Sequence, residues 1–288
     1  MSFYSPLRYP GGKNKIVPYI KQIIKNNLLL DCVYIEPYTG GASVAISLLL
    51  DGYVSEIIIN DIDRSIFAFW HSALNNTDEL CKLIEKTPVT IREWKKQREK
   101  QIHKKTCSLL ELGFSTFFLN RTNRSGIIAG GVIGGLKQNS RWKINVRYNK
   151  EELINRIRRI SLYKNSIKIY NLDASELIKS VHDKSNKKIF VYFDPPYYNK
   201  GKDLYLNYYT VKDHENLFKQ IKKLRNENWI LTYDNVKQIK ELYSCYNHRK
   251  YNLRYSAGKK NMGQELMIFS DKLYYPKYSE VIKYPVYS

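Results

Sequence analysis

The sequence predicts an α/β fold: a mostly parallel sheet with an antiparallel C-terminal edge, interrupted by an inserted, mainly helical module. Three observations predict it. Short apolar runs rich in β-branched and aromatic residues alternate with helical patterns at both ends of the chain, which implies βαβ units. Between about residues 77 and 160 that alternation stops. Near the end, Tyr251–Tyr255 and Glu265–Phe269 lie close enough in sequence to pair as antiparallel strands.

The elements follow in order. Residues 14–30 show Ile16, Tyr19, Ile20, Ile23 and Ile24 at spacings that build one apolar helix face. Cys32–Ile35 reads as a strand, Glu36 to Gly41 as a loop, Ala42 to Leu50 as a helix, and Glu56 to Asp61 as a second strand ending in an acid. A helix resumes at Arg64. The insertion carries helical patterns with charged faces, Ile91 to Lys105 and Cys107 to Leu119, then a glycine-rich segment from Ser125 to Gly135. Alternation over Arg141 to Arg147 predicts a hairpin strand with one basic face. Ser166–Asn171 and Ile189–Phe193 are strands flanking a helix from Ala174, and Trp229–Tyr233 is another strand after a helix near Asp213. This gives an α/β part over 1–76 and 161–288 and an inserted module over 77–160.

The formal charge of +21 points to a polyanionic partner, nucleic acid before an anionic membrane. Its distribution is more telling. Residues 77–160 hold 19 Lys and Arg against 8 Asp and Glu, an excess of 11 in under a third of the chain. Cys32, Cys81, Cys107 and Cys245 are dispersed, as are the five histidines, so no zinc or other metal site is expected. No stretch approaches the roughly 20 apolar residues that span a bilayer, and no apolar signal core opens the chain, so a cytoplasmic protein without membrane partners is expected.

Two loops carry the chemistry. The run Ile189–Phe193 closes on Asp194-Pro195-Pro196-Tyr197, a strand opening into a rigid loop at the sheet end where ligands bind. The loop offers a carboxylate, carbonyls that prolines hold in place and an aromatic ring, but no nucleophile. Asp194 and the Pro195 carbonyl can accept the two hydrogens of a planar aromatic amine while Tyr197 stacks on its ring. The other loop, Glu36 to Ser43, brings Gly40 and Gly41 between the first strand and first helix, where the backbone can approach a ligand. Asp61, ending the second strand, can take both hydroxyls of a ribose. Gly11-Gly12-Lys13 lacks the preceding Gly and following Ser or Thr of an ATPase loop, and Gly40-Gly41-Ala42 lacks the dinucleotide glycine pattern. A ribose without a pyrophosphate favours S-adenosylmethionine.

With these motifs in this order, the chain resembles the Dam-type DNA adenine methyltransferases along nearly its whole length. Leu7 to Lys13 is similar to the family's N-terminal cofactor motif, Glu36 to Ser43 to its glycine loop, Asn60-Asp61 to its ribose acid and Asp194 to Tyr197 to its catalytic motif. The resemblance implies a Rossmann-like methyltransferase sheet, with the insertion as target-recognition module. It also implies Tyr9 and Lys13 at the methionine end of the cofactor, Glu36 and Gly40 in the cofactor loop, Asp61 on the ribose, Asp173 on the cofactor adenine, and Asp194 on cofactor and target alike. One departure stands out: the family's Phe-x-Gly-x-Gly reads Tyr38-Thr39-Gly40-Gly41-Ala42 here.

The expected reaction moves a methyl group to the 6-amino group of adenine in double-stranded DNA, with the base flipped out and Tyr197 as stacking platform. Arg8, Arg121, Arg124, Arg141, Lys143 and Arg147 are the candidates for phosphate or guanine contacts. A cognate restriction endonuclease as partner and a monomer in solution complete the expectation. The alternatives are an RNA adenine methyltransferase, a cytosine-amino methyltransferase and a DNA-binding relative without activity.

Overall fold

The computed structural model describes residues 4–8, 13–182, 188–198, 209–224, 226–254 and 262–282. Tyr9 lies outside the described residues, as does the Tyr255 end of an expected strand. The chain forms two compact units, one of residues 13–39, 43–60 and 172–288, the other of 1–12, 40–42 and 61–171.

The strands are β1 (Cys32–Glu36), β2 (Val54–Asn60), β3 (Ile167–Tyr170), β4 (Ile189–Phe193), β5 (Asn228–Asp234), β6 (Asn247–Arg254) and β7 (Met262–Phe269), in sheet order β3-β2-β1-β4-β5-β7-β6. Parallel pairing joins β2, β1, β4 and β5, whereas β7 runs antiparallel between β5 and β6. The antiparallel pair expected from sequence is therefore present, with β7 as its inner strand. Every residue of β1 and β4 is buried, as an apolar strand covered on both faces must be. The order reverses between β1 and β4, the switch point at which open α/β sheets bind ligands.

The helices begin with α1 (Val17–Asn26) and α2 (Ser43–Leu50). The helix expected over 14–30 is a 3-10 turn, Lys13–Ile16, running into α1. It stops early because Asn27 returns both its backbone and side-chain N–H to the Ile23 carbonyl, after which Leu28 turns left-handed at φ 53°.

The second unit holds α3 (Arg64–Asn75), α4 (Thr77–Lys86), α5 (Ile91–Ile102), α6 (Leu109–Thr122) and α7 (Lys150–Ser161). Helix α6 starts on a Ser108–Glu111 capping box and is buried almost all round. Gly113 lets it lie directly on α3, since a Cβ there would fall 2.5 Å from the Ala68 carbonyl oxygen. The basic hairpin strand expected at 141–147 is not formed. That stretch is a series of turns, in which Ile144 and Tyr148 are the buried positions. Of the alternating apolar residues, Trp142 and Val146 are exposed, and Ile144 packs inward instead, as does Tyr148 four residues on. Helix α8 (Ala174–His182), α9 (Val211–Ile221) and α10 (Lys237–Leu242) return to the sheet-bearing unit. Among the described residues no helix is long and apolar enough to cross a membrane.

Candidate active site

In the sheet-bearing unit, the chain leaves β4 at Phe193 and places Asp194 at the strand end with its side chain 22% exposed. Lys13, at the start of the 3-10 turn, points inward and sets its ammonium 3.0 Å from Asp194 Oδ1. The Thr232 hydroxyl, on β5, donates to the same oxygen at 2.8 Å. Oδ1 is thereby fixed, while Oδ2 and the Pro195 carbonyl accept no hydrogen bond among the described residues. Burial pushes the Asp194 carboxyl above the ordinary aspartate range, against the opposing pull of Lys13.

Tyr197 is 4% exposed. Its hydroxyl accepts from Lys13 Nζ at 2.6 Å and donates to Glu265 Oε1. Glu265 in turn accepts from the Tyr251 hydroxyl and lies 3.5 Å from Lys13 Nζ. Sequence reasoning missed Glu265, Tyr251 and Thr232. A lone acid in Gln264-Glu265-Leu266-Met267 at a chain-terminal edge reads as solvent-facing, and only the position of β7 between two strands buries it. Also missed was an aromatic group around the loop that follows: Tyr38 and Tyr209 share a 2.7 Å hydroxyl hydrogen bond, and His214 packs between Tyr198, Tyr209 and Tyr233.

The loop after β1 is braced by Asn60. Its side chain donates to the Pro37 and Leu172 carbonyls at 2.9 and 3.0 Å and accepts from Leu172 N–H at 2.9 Å. Glu36 is buried, with Oε1 accepting from the Tyr34 hydroxyl and the Ala45 N–H, both at 3.0 Å, and burial raises its carboxyl to about 8. Asp173 opens α8, where its Oδ1 accepts from the Ser175 N–H at 2.9 Å and from the Ser175 hydroxyl.

Burial thus favours the protonated form of Glu36 towards neutral pH. Its folded-state pKa lies above the unfolded value, so the folded chain binds the extra proton between about 4.5 and 8 and loses stability as pH rises through that window. Glu36→Gln, a mimic of the protonated acid, is expected to flatten urea-unfolding stability measured from pH 5 to 8. An unchanged slope would show that Glu36 is ionised throughout.

In the other unit, Gly40, at φ 47°, donates its N–H to Asp61 Oδ2 at 2.9 Å and accepts from the Trp70 indole at 3.0 Å. Asp61 Oδ1 accepts from the Asp63 N–H at 2.9 Å, and burial raises this carboxyl to about 7. Ala42 also adopts a positive φ, 47°. Ala42, which stands where the resembling family's pattern has its last glycine, thus holds a left-handed backbone at a strain of about 1–2 kcal/mol.

The same unit brings together some of the basic candidates. Asn120 clamps Arg8, accepting its N–H at 2.7 Å and donating to its carbonyl at 2.5 Å, while Gly126 packs so closely that a Cβ would fall 2.3 Å from the Arg8 carbonyl oxygen. Arg8 and Arg121 are lowered from the usual arginine value by burial first. Arg147 adds to the effect on Arg8, and Arg156 and Arg8 add to that on Arg121, which reaches about 10. Arg8 Nη1 and Arg121 Nε are buried without a hydrogen-bond partner among the described residues. Arg124, Arg141, Lys143 and Arg147 are exposed, with the Arg141 guanidinium stacked over Trp142.

Comparison with known proteins yields one family. The model for D12 class N6 adenine-specific DNA methyltransferases matches residues 9–257. The type II methyltransferase M.MjaIII of Methanocaldococcus jannaschii is 24% identical over 224 residues, 72% of this chain and 73% of that protein. The type II methyltransferase M1.LlaDCHI of Lactococcus lactis subsp. cremoris is 24% identical over 277 residues, 88% of this chain and 89% of that protein. Among solved structures, a SAM-dependent methyltransferase from Agrobacterium tumefaciens aligns at a TM-score of 0.41 and 10% identity, over 90% of this chain and 62% of that one.

Proposed function

This chain belongs to the D12 class of N6 adenine-specific DNA methyltransferases, and from that premise we propose that it methylates one recognised site in duplex DNA, reaching the adenine by flipping it out of the helix. S-adenosylmethionine is the methyl donor. The donor set suits it: Asp61 keeps lone pairs beyond those used by Gly40 and Asp63 for ribose hydroxyls, and the loop after β1 lacks the glycine pattern of a pyrophosphate site. Lys13 is assigned to its methionine end, as is Tyr9, and Glu36, Gly40 and Asp173 to the rest of its pocket.

The observation that carries the reading is the asymmetry of Asp194. With Oδ1 held by Lys13 and Thr232, Oδ2 and the Pro195 carbonyl are left to accept the two amine hydrogens. That pair favours a pyramidal nitrogen and aims its lone pair along the line of methyl transfer. The surplus proton leaves after transfer, because a methylated adenine ammonium is acidic. Tyr197 is the proposed stacking surface for the flipped base, and its ring, buried here, must be uncovered for that.

Single-molecule sequencing of DNA from cells expressing the protein tests the reading. N6-methyladenine confined to one motif is expected, and duplex DNA should outcompete RNA as methyl acceptor in vitro. Scattered methylation, or a preference for RNA, would overturn it.

The module at 77–160 is the proposed reader of sequence. Arg124→Ala and Arg141→Ala separate two roles. A phosphate contact weakens binding to all sequences and reduces the salt slope by about one unit, whereas a base contact relaxes discrimination at one position by about 1–3 kcal/mol. Affinity for S-adenosylmethionine alone should not move. Variants retaining full affinity, salt dependence and preference would place recognition elsewhere.

A further inference from the structure

Glu265 lies on β7 directly opposite Tyr251 on β6 and Asp234 on β5, at a site whose side chain is 1% exposed. A buried carboxylate is costly unless it is paired and hydrogen-bonded. Here it meets three groups, of which Lys13 and Tyr197 bear on the reacting loop. Its Oε1 accepts from the Tyr197 hydroxyl, and its Oε2 accepts from Tyr251 and lies 3.5 Å from the Lys13 ammonium. Lys13 and Tyr197 are joined to each other at 2.6 Å, and Lys13 reaches Asp194 Oδ1 at 3.0 Å. Glu265 thus holds Lys13, which fixes Asp194 Oδ1 together with Thr232, and Tyr197, which accepts a hydrogen bond from Lys13.

Resting on the functional reading above, we propose that Glu265 is a positioning residue for methyl transfer: it anchors Lys13 and Tyr197 so that Asp194 presents Oδ2 to the amine, and its negative charge offsets Lys13, which would otherwise repel a cationic ligand. S-adenosylmethionine carries a sulfonium charge and S-adenosylhomocysteine does not, although the two are otherwise alike. Removing the Glu265 charge makes the site more positive by one unit, whatever other groups surround it. The cationic ligand must then lose affinity relative to the neutral one.

Glu265→Gln keeps the shape and one acceptor oxygen but removes the charge. Calorimetry on the full chain is expected to show S-adenosylmethionine binding weakened about tenfold relative to S-adenosylhomocysteine, with kcat reduced while KM for DNA is retained. Glu265→Asp keeps the charge and loses reach towards Tyr197. It should preserve the affinity ratio and lower kcat. A purely structural role would weaken both ligands equally in the Gln variant. That result, or an unchanged ratio, overturns the inference. If the Gln variant does not fold, the Asp variant decides: wild-type kcat, or a shifted ratio, overturns it, whereas a reduced kcat at constant ratio supports it. Failure of the unsubstituted protein to bind S-adenosylmethionine would refute the functional reading itself, and this inference with it.

Discussion

Asp194→Asn is expected to lower kcat by at least about a hundredfold while leaving binding of S-adenosylmethionine measurable, and Asp194→Ala to abolish transfer. Removing one preorganised group that stabilises developing charge in a water-poor site costs about 10²–10³ in rate. The Asn variant can still present an oxygen to Lys13 and Thr232, since both donate to Oδ1. It then turns an NH2 group toward the amine where an acceptor is required, so two donors face each other. Neither variant should unfold the chain. Asp194 ends a strand rather than filling the core, and Lys13 retains Glu265 as a partner 3.5 Å away. Single-turnover assays with labelled methyl donor, alongside calorimetry, separate the chemical step from binding. The raised pKa of Asp194 adds a sign: activity should rise with pH as this carboxyl ionises, and that limb should vanish in the Asn variant. Turnover near that of the unsubstituted protein in either variant would remove Asp194 from the mechanism.

Much of this architecture is legible in the sequence, for physical reasons. Buried parallel strands must be apolar throughout, so Ile189–Phe193 shows itself, and two prolines mark its end at a point where the structure also ends β4. Asp61 and Gly40 are readable because a glycine turn after one strand and an acid after the next are positional signals, and the structure joins them by a 2.9 Å hydrogen bond. Periodicity failed where exposed residues supplied the pattern. At 141–147 two of the three alternating apolar residues, Trp142 and Val146, face solvent, and the two residues that pack, Ile144 and Tyr148, are spaced as on one turn of helix. Ala42 shows a different limit: the left-handed conformation survives without the glycine that would advertise it. Glu265 was illegible because its partners come from three places distant in sequence, and nothing local distinguishes it from a surface acid on an edge strand.

Lys13→Met is the substitution expected to harm stability most. The ammonium is buried between two carboxylates, and removing one partner of a buried ion pair costs about 3–5 kcal/mol because the remaining charge is left uncompensated. Methionine fills a similar volume, so the loss reports charge rather than a cavity. Its pH dependence follows from Asp194. Lys13 pulls that carboxyl's pKa down, and without it the folded-state pKa rises further above the unfolded value. The variant then binds a proton on folding over a wider range, so its stability falls as pH rises, and the deficit against the unsubstituted protein should be larger at pH 8 than at pH 5. The double variant Lys13→Met with Glu265→Gln leaves one fewer buried negative charge without a partner. It should therefore be more stable at pH 8 than the sum of the two single losses implies, and the double-mutant cycle isolates that coupling. Strict additivity, or a Lys13→Met deficit independent of pH, would mean that the carboxylates are already protonated and that hydrogen bonds alone hold the cluster.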